Sequence, residues 1–179
     1  MTAKECIVGR RSIRSFQDKS VDHALLEQII SEAAFAPSWK HTQITRYIAV
    51  EGELKDRIAD EGFSIYPPNG DIVRKAPMLI AVTFIKNRSG FERDGSFSTD
   101  KGDRWQMFDA GIATQTFCLS AYDHGLGSVI LGLFDEKKIT EILNIPEDRE
   151  LACLIPIGYA DSDVTAPKRK ETEVLLSYQ

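Results

Sequence analysis

The 179-residue chain is poor in the residues that staple or metallate a fold, with only three cysteines and three histidines. Cys6, Cys118 and Cys153 are odd in number, far apart and set in apolar surroundings. That pattern excludes a disulfide framework and reads as buried thiols in a reducing compartment. His23, His41 and His124 share no helical face, which argues against a dedicated metal site. Long hydrophobic runs are missing too. The longest, Pro77 to Ile85 and Val129 to Phe134, fall well short of the roughly 20 residues that cross a bilayer, and the first residues lack the apolar stretch of a signal peptide. No membrane association is expected, and the expected location is cytoplasmic. Positive charge is in deficit, with 22 Lys+Arg against 27 Asp+Glu and a net charge of -5, so nucleic acid is not expected as a partner either. Small molecules remain as the expected ligands. A hydrophobic content of 42% in a chain of this length supports one substantial core and a single domain over residues 1–179.

Against that acidic background, Arg10, Arg11 and Arg14 crowd into five positions with Ser12 among them. Arginine presents a planar fork of donors that fits phosphate oxygens, and a hydroxyl and backbone amides complete such a cradle. The knot therefore points to a phosphorylated ligand. A surface cluster neutralised by carboxylates is the alternative that these residues alone leave open.

Along the chain, Thr2 and Glu5 have the spacing of a capping box for a short helix that Gly9 is expected to close in a left-handed conformation. Val21, Asp22 and Leu26 read as staple, cap and staple partner of a second helix, with apolar pairs at Leu25/Leu26, Ile29/Ile30 and Ala33/Ala34, ended by Pro37. Ile44 to Val50 has strand composition, Glu53 to Glu61 reads as a surface helix broken at Gly62, and Pro67 to Gly70 reads as a turn. Met78 to Ile85 is a continuous apolar run of the kind that marks a strand covered on both faces. Lys86 to Asp103 is polar and glycine-bearing, which predicts a long mobile loop of the lid type. From Trp105 to His124 the pattern is helical but apolar or small nearly all round, which marks a helix buried on most sides, in part against a second subunit. Gly125 caps it. Leu126 to Leu131 reads as a strand, Asp135 as the cap of a helix ending before Pro146, and Leu151 to Tyr159 as the last strand. The tail turns basic at Lys168, Arg169 and Lys170. Interleaved helices and strands with a helix-helix opening fit an α+β fold, a mixed sheet flanked by helices, better than a doubly wound repeat.

Arg10-Arg11-Ser12-Ile13-Arg14-Ser15-Phe16, then Ala36-Pro37-Ser38-Trp39-Lys40-His41-Thr42-Gln43 before a strand, Asp109-Ala110-Gly111 on the buried helix, Gly125-Leu126-Gly127-Ser128 leading to Gly132, and Pro156-Ile157-Gly158-Tyr159 before a basic tail together resemble the nitroreductase family of FMN-dependent oxidoreductases. The resemblance runs nearly end to end. It implies an intertwined homodimer with two flavin sites at the subunit interface, each built from both chains. Arg10, Arg11, Ser12 and Arg14 match the family's first FMN-binding motif, in which Arg14 would reach the N1/O2 edge of the ring. Lys168 and Arg169 look like the late basic residues that complete the phosphate site. Pro37, Ser38 and Trp39, with His41 and Gln43, resemble the segment that the partner subunit lays against the flavin. Leu131 and Gly132 match the stretch whose backbone approaches the flavin N5 edge. Glycine at position 132 suits such an approach, because a side chain there would meet the ring. An ordinary strand-end turn glycine is the other reading of that position.

His41 departs from the family pattern, which often places Asn there. An amide donates and accepts at every pH, whereas an unperturbed imidazole changes charge near pH 6.5. Ile44 replaces a frequent Pro after Gln43. No third glycine follows Gly125 and Gly127 at position 130, so a Rossmann fingerprint is absent, and no Gly-x-Ser-x-Gly elbow supports a hydrolase. The expected activity is two-electron transfer from NADH or NADPH, through bound FMN, to a nitroaromatic, quinone or related electrophile by ping-pong kinetics. The chemistry centres on the flavin, so no catalytic side chain is expected. The alternative is a flavin-binding or flavin-sensing module with little turnover.

Overall fold

The computed structural model describes residues 1–179, and its centre is the strand β2, Met78–Ile85. Met78, Ile80 and Val82 point into one apolar cluster and Leu79 and Ala81 into another, as the two-residue period of a strand requires. Apart from Thr83, which is buried with its hydroxyl unpartnered, the run is apolar because both faces are covered. β1 (Thr45–Val50) and β4 (Arg149–Gly158) flank it in antiparallel register, and β3 (Gly127–Ser128) lies outside β4, giving the order β1-β2-β4-β3. The register shifts between Val82 and Thr83, where Cys153 and then Leu151 face successive β2 residues. This bulge at Ala152 turns Leu151 onto the same face as Leu154. Pairing among the four strands is antiparallel, and the parallel element is the isolated bridge between Ser12 and Ser128.

The helices divide by face. α2 (His23–Ala33) and α5 (Arg104–Asp123) bury Leu26, Ile29, Ala33, Phe117, Cys118 and Ala121 on one side. α3 (Gly52–Glu61), α4 (Pro68–Lys75) and α6 (Glu136–Leu143) bury Ile58, Ala59, Val73, Ile139 and Ile142 on the other. α1 (Ala3–Gly9) leans on α5, and α7 (Thr172–Leu175) is a single exposed turn in the tail. The result is the expected α+β fold. Burial holds the Cys118 thiol above its ordinary range and pushes Cys153 up to about 11, so both are inert packing groups.

Several local expectations need correction. Gly9 does not adopt a left-handed conformation; it is the last residue of α1, and an added Cβ there would lie 2.6 Å from the Tyr122 hydroxyl. Pro67-Pro68-Asn69-Gly70 is not only a turn, since Pro68 opens α4, whose first turn carries Asp71 and whose last carries Arg74 and Lys75. That charge order suits the helix macrodipole, and proline is favoured at a helix start. The strand expected over Leu126 to Leu131 shrinks to two residues and a bridge from Leu131 to Leu154. α2 ends four residues before Pro37.

Candidate functional site

The arginine segment is positioned by glycine. An added Cβ at Gly127 would meet Ile13 at 2.7 to 3.0 Å, and this closeness lets the Ile13 amide donate to the Ser128 carbonyl at 3.0 Å. Phe16 bridges Ala160, and the Gln17 amide donates to the Tyr159 carbonyl at 2.9 Å. Residues 10–17 are thus an extended strap across the end of β4. The three cations on it differ in use. Arg11 turns back and donates one guanidinium nitrogen to the carbonyls of Val8, Gly9 and Arg10 at 2.6, 3.0 and 2.9 Å, capping the C-terminus of α1. Arg10 and Arg14 form no ion pair with any carboxylate, and the bond from Arg14 to the Ser12 carbonyl is long at 3.4 Å. The reading of a surface cluster neutralised by carboxylates therefore fails.

Arg14 opens on a cleft of about 480 Å³ that also receives Leu131, Gly132, Asn69 and Lys75. Leu131 exchanges both backbone hydrogen bonds with Leu154 at 2.8 and 3.1 Å, whereas the Gly132 N–H donates to no group of the chain. A Cβ at Gly132 would meet nothing within 4 Å, so the fold itself does not demand glycine there. Asn69 escapes the sequence reading because Pro67 to Gly70 reads as a turn, and Lys75 because the helix that follows is not expected. The Asn69 amide donates to the Leu133 carbonyl at 3.1 Å and ties α4 to the wall of the cleft.

Pro37, Ser38 and Gln43 line a separate, mostly apolar cavity of about 380 Å³ with Leu26, Tyr47 and Asp109. Trp39 and His41 bound a single 3-10 turn in which Lys40 and His41, then Gln43, have φ of 43°, 58° and 49°. Side chains lock this left-handed path: the Gln43 amide donates to Ser38 Oγ at 3.0 Å, and Gln43 Nε2 lies 2.7 Å from His41 Nε2. Trp39 packs on Trp105 with centroids 4.5 Å apart and ring planes tilted by 38°. The segment 86–103 contains no helix or ladder strand but is fastened to the turn, through Lys40 to Glu92 at 2.7 Å and Thr42 to Ser89 at 2.6 Å. Lys168 and Arg169 are exposed, and their polar contacts are local, to Glu171 at 3.8 Å and the Pro167 carbonyl at 3.3 Å. The tail nevertheless leaves from beside the strap, where the Asp161 amide donates to the Ser15 carbonyl at 3.2 Å.

One chain thus carries two separate features: a strap with unpaired cations beside an open backbone donor, and an aromatic turn on another cavity. The sequence matches the profile of the nitroreductase family over residues 7–159. The chain belongs to that family. A protein of Methanothermobacter thermautotrophicus, provisionally named an NADH dehydrogenase/NAD(P)H nitroreductase, is 29% identical over 164 residues, covering 89% of this chain and 78% of the relative. A crystal structure of a nitroreductase family protein from Clostridium novyi NT is 31% identical, with a TM-score of 0.76 over 90% of this chain and 86% of that one. A provisionally assigned nitroreductase from Desulfovibrio desulfuricans, solved in complex with FMN, shares the fold at 24% identity, with a TM-score of 0.80 over 98% and 96% of the two chains. No helix of this chain is long and apolar enough to cross a membrane.

Proposed function

We propose that the protein is an FMN-dependent oxidoreductase, working as a homodimer, that passes two electrons from NADH or NADPH to a nitroaromatic, quinone or related flat electrophile in ping-pong fashion. The observation that carries the reading is the cleft in which the unpaired Arg14 meets the undonated N–H and open Cα of Gly132. Those groups fit a flavin mononucleotide: cations for its phosphate and pyrimidine edge, a bare backbone for its ring. Arg10 and Ser12 would hold the phosphate, with Lys168 and Arg169 brought up by the tail. Arg14 places fixed positive charge at the ring's oxygen-rich edge, and Gly132 N–H offers an oriented donor. FMN, when bound, supplies the hydride-accepting chemistry.

The homodimer is supported by the division of the site. Pro37, Ser38, Trp39, His41 and Gln43 are not on the Arg14 cleft, so they would serve the flavin held by the other subunit. Apolar side chains left open on one protomer include Met107 and Phe108 at the start of α5, 49% and 58% exposed, and Val174 and Leu175 in the tail, 66% and 71% exposed. Burial of these side chains against a second copy would remove their apolar surface from water, which supports the homodimer.

An anaerobic absorption spectrum of the purified protein, before and after NADH or NADPH and then a quinone, tests the proposal. Flavin bands bleached by one of the nicotinamides and restored by the quinone are expected. A protein that takes up no FMN overturns the reading, and bound flavin inert to both nicotinamides establishes the binding module instead.

A further inference from the structure

Asp109 lies in the second turn of α5 and is 2% exposed, yet no lysine, arginine or histidine pairs with it. A buried carboxylate without a cation is tolerated only where hydrogen bonds surround it. Both of its oxygens accept the Trp39 N–H at 3.0 Å. Oδ2 also accepts from Ser89 Oγ at 2.5 Å and from Thr42 Oγ1 at 3.4 Å, and the two hydroxyls are 2.6 Å apart. Ser89 is fully buried. Three segments distant in sequence therefore converge on one carboxylate: the 38–43 turn, the start of the 86–103 loop, and α5.

The turn needs such an anchor. Lys40, His41 and Gln43 are non-glycine residues at positive φ, a conformation that persists only where its surroundings over-determine it. The Trp39 side chain cannot anchor it by a hydrogen bond, because its indole N–H is buried without a partner.

We propose that Asp109 is a positioning residue of the flavin site: it fixes the Trp39 to Gln43 turn in the strained path that faces the partner's flavin, and through Ser89 it makes the 86–103 loop part of the same rigid unit. The inference rests on the flavin reading above.

Trp39 and Trp105 are the two tryptophans of the chain and their rings are 4.5 Å apart. Their coupled far-ultraviolet dichroism band therefore reads the turn in the apoprotein, without flavin. Asp109→Ala is expected to lose most of that band and to raise the FMN dissociation constant about tenfold or more, the effect of one charge-assisted hydrogen bond. Asp109→Asn keeps an acceptor for the Trp39 N–H and is expected to recover the band and bring FMN binding back to within about threefold of wild type. Should Asp109→Ala fail to fold, Ser89→Ala combined with Thr42→Val removes both hydroxyl donors; a weakened tryptophan band with roughly fivefold weaker FMN binding supports the proposal. An Asp109→Ala protein, or in its place the double variant, that keeps both the band and wild-type FMN affinity overturns it. A wild-type protein that binds no FMN contradicts the flavin reading itself, whereas a flavin-binding wild type with an unaffected Asp109 variant contradicts this inference alone.

Discussion

Gly127→Ala probes the contact on which the arginine strap depends. The new methyl would meet Ile13 Cγ1 at 2.7 Å, Cβ at 2.9 Å and Cγ2 at 3.0 Å. Ile13 cannot swing clear, because one of the clashing atoms is its own Cβ and its side chain is packed with Phe16 and Ala76. Overpacking of this kind costs about 1–3 kcal/mol, and a clash that must move backbone belongs in the upper half of that range. Alanine at an ordinary φ recovers roughly 0.4–1 kcal/mol by restricting the unfolded chain, leaving a net loss of about 1–2.6 kcal/mol. At roughly 2–4 °C per kcal/mol for a chain of this size, the melting temperature should fall by about 2–10 °C. Thermal unfolding of the apoprotein measures this directly. FMN affinity should fall as well, since the displaced strap carries Arg10, Ser12 and Arg14. Ile13→Ala removes Cγ1 and Cγ2, two of the three clashing atoms, and keeps Cβ, while opening a cavity that alone costs about 2–4 kcal/mol, so the double variant should be more stable than the sum of the two losses by about 0.5 kcal/mol or more. A Gly127→Ala protein that melts with the wild type, together with additive behaviour in the double variant, would refute the close-approach argument.

Gly132→Ala is the complementary case: with nothing within 4 Å of its Cβ, apoprotein stability should hold or rise slightly, while FMN binding weakens about tenfold through the disturbed N–H donor; an unchanged FMN titration removes Gly132 from the site. Arg10→Glu should weaken FMN binding by about 10- to 100-fold, the range of a charged hydrogen bond, with little effect on melting. Arg11→Ala, which frees the Val8, Gly9 and Arg10 carbonyls at the end of α1, should lower melting more and binding less, and the reverse order would show that Arg11 is the phosphate ligand. Glu32 is held below its ordinary carboxylate value of 4.5 by hydrogen bonds from Ser120 and His124. A depressed folded value means that its stabilising contribution is present above that ordinary value and is lost as pH falls through the lower folded one. The melting gap between wild type and Glu32→Gln should therefore be constant at neutral pH and close under acid conditions, and a gap that persists through the acid range would show that the carboxylate is not the source of it.

Much of the fold was legible because its strongest signals are periodic. The mostly apolar run at Met78–Ile85 reads as a strand covered twice, and the segment Arg104–Asp123 reads as a helix, which buries a broad face from Gln106 to Ala121 while Met107 and Phe108 stay exposed. What remained illegible depends on contacts between segments distant in sequence. Gly9 looked like a helix terminator and is instead a space made for Tyr122. Pro67-Pro68-Asn69-Gly70 carries every local mark of a turn; only the charge order from Asp71 to Lys75 favours a helix, and that signal is weak until Val73 finds the core. β3 is two residues long because its neighbour on the outer side is the strap at Ser12 and not another full strand.

The site shows the same division more sharply. Residues whose chemistry is unusual for their surroundings, three arginines in an acidic chain, announced themselves. The separation of their duties did not, since nothing in the order Arg10-Arg11 says which guanidinium folds back onto α1 and which stays free; the direction of the chain past Gly9 decides it. His41 looked anomalous on chemical grounds, yet the structure supplies a conformational reason for an asparagine at that position: φ is +58°, a region that asparagine visits more readily than most residues. Asp109 was visible as part of a motif, but its task is readable only after folding brings Trp39 and Ser89 to its two oxygens. A carboxylate is legible in sequence as a charge, whereas here it acts as an acceptor whose donors arrive from 70 residues upstream and 20 residues upstream. Residues that act by holding others are the ones a sequence conceals, because their function is defined by geometry that no local pattern encodes.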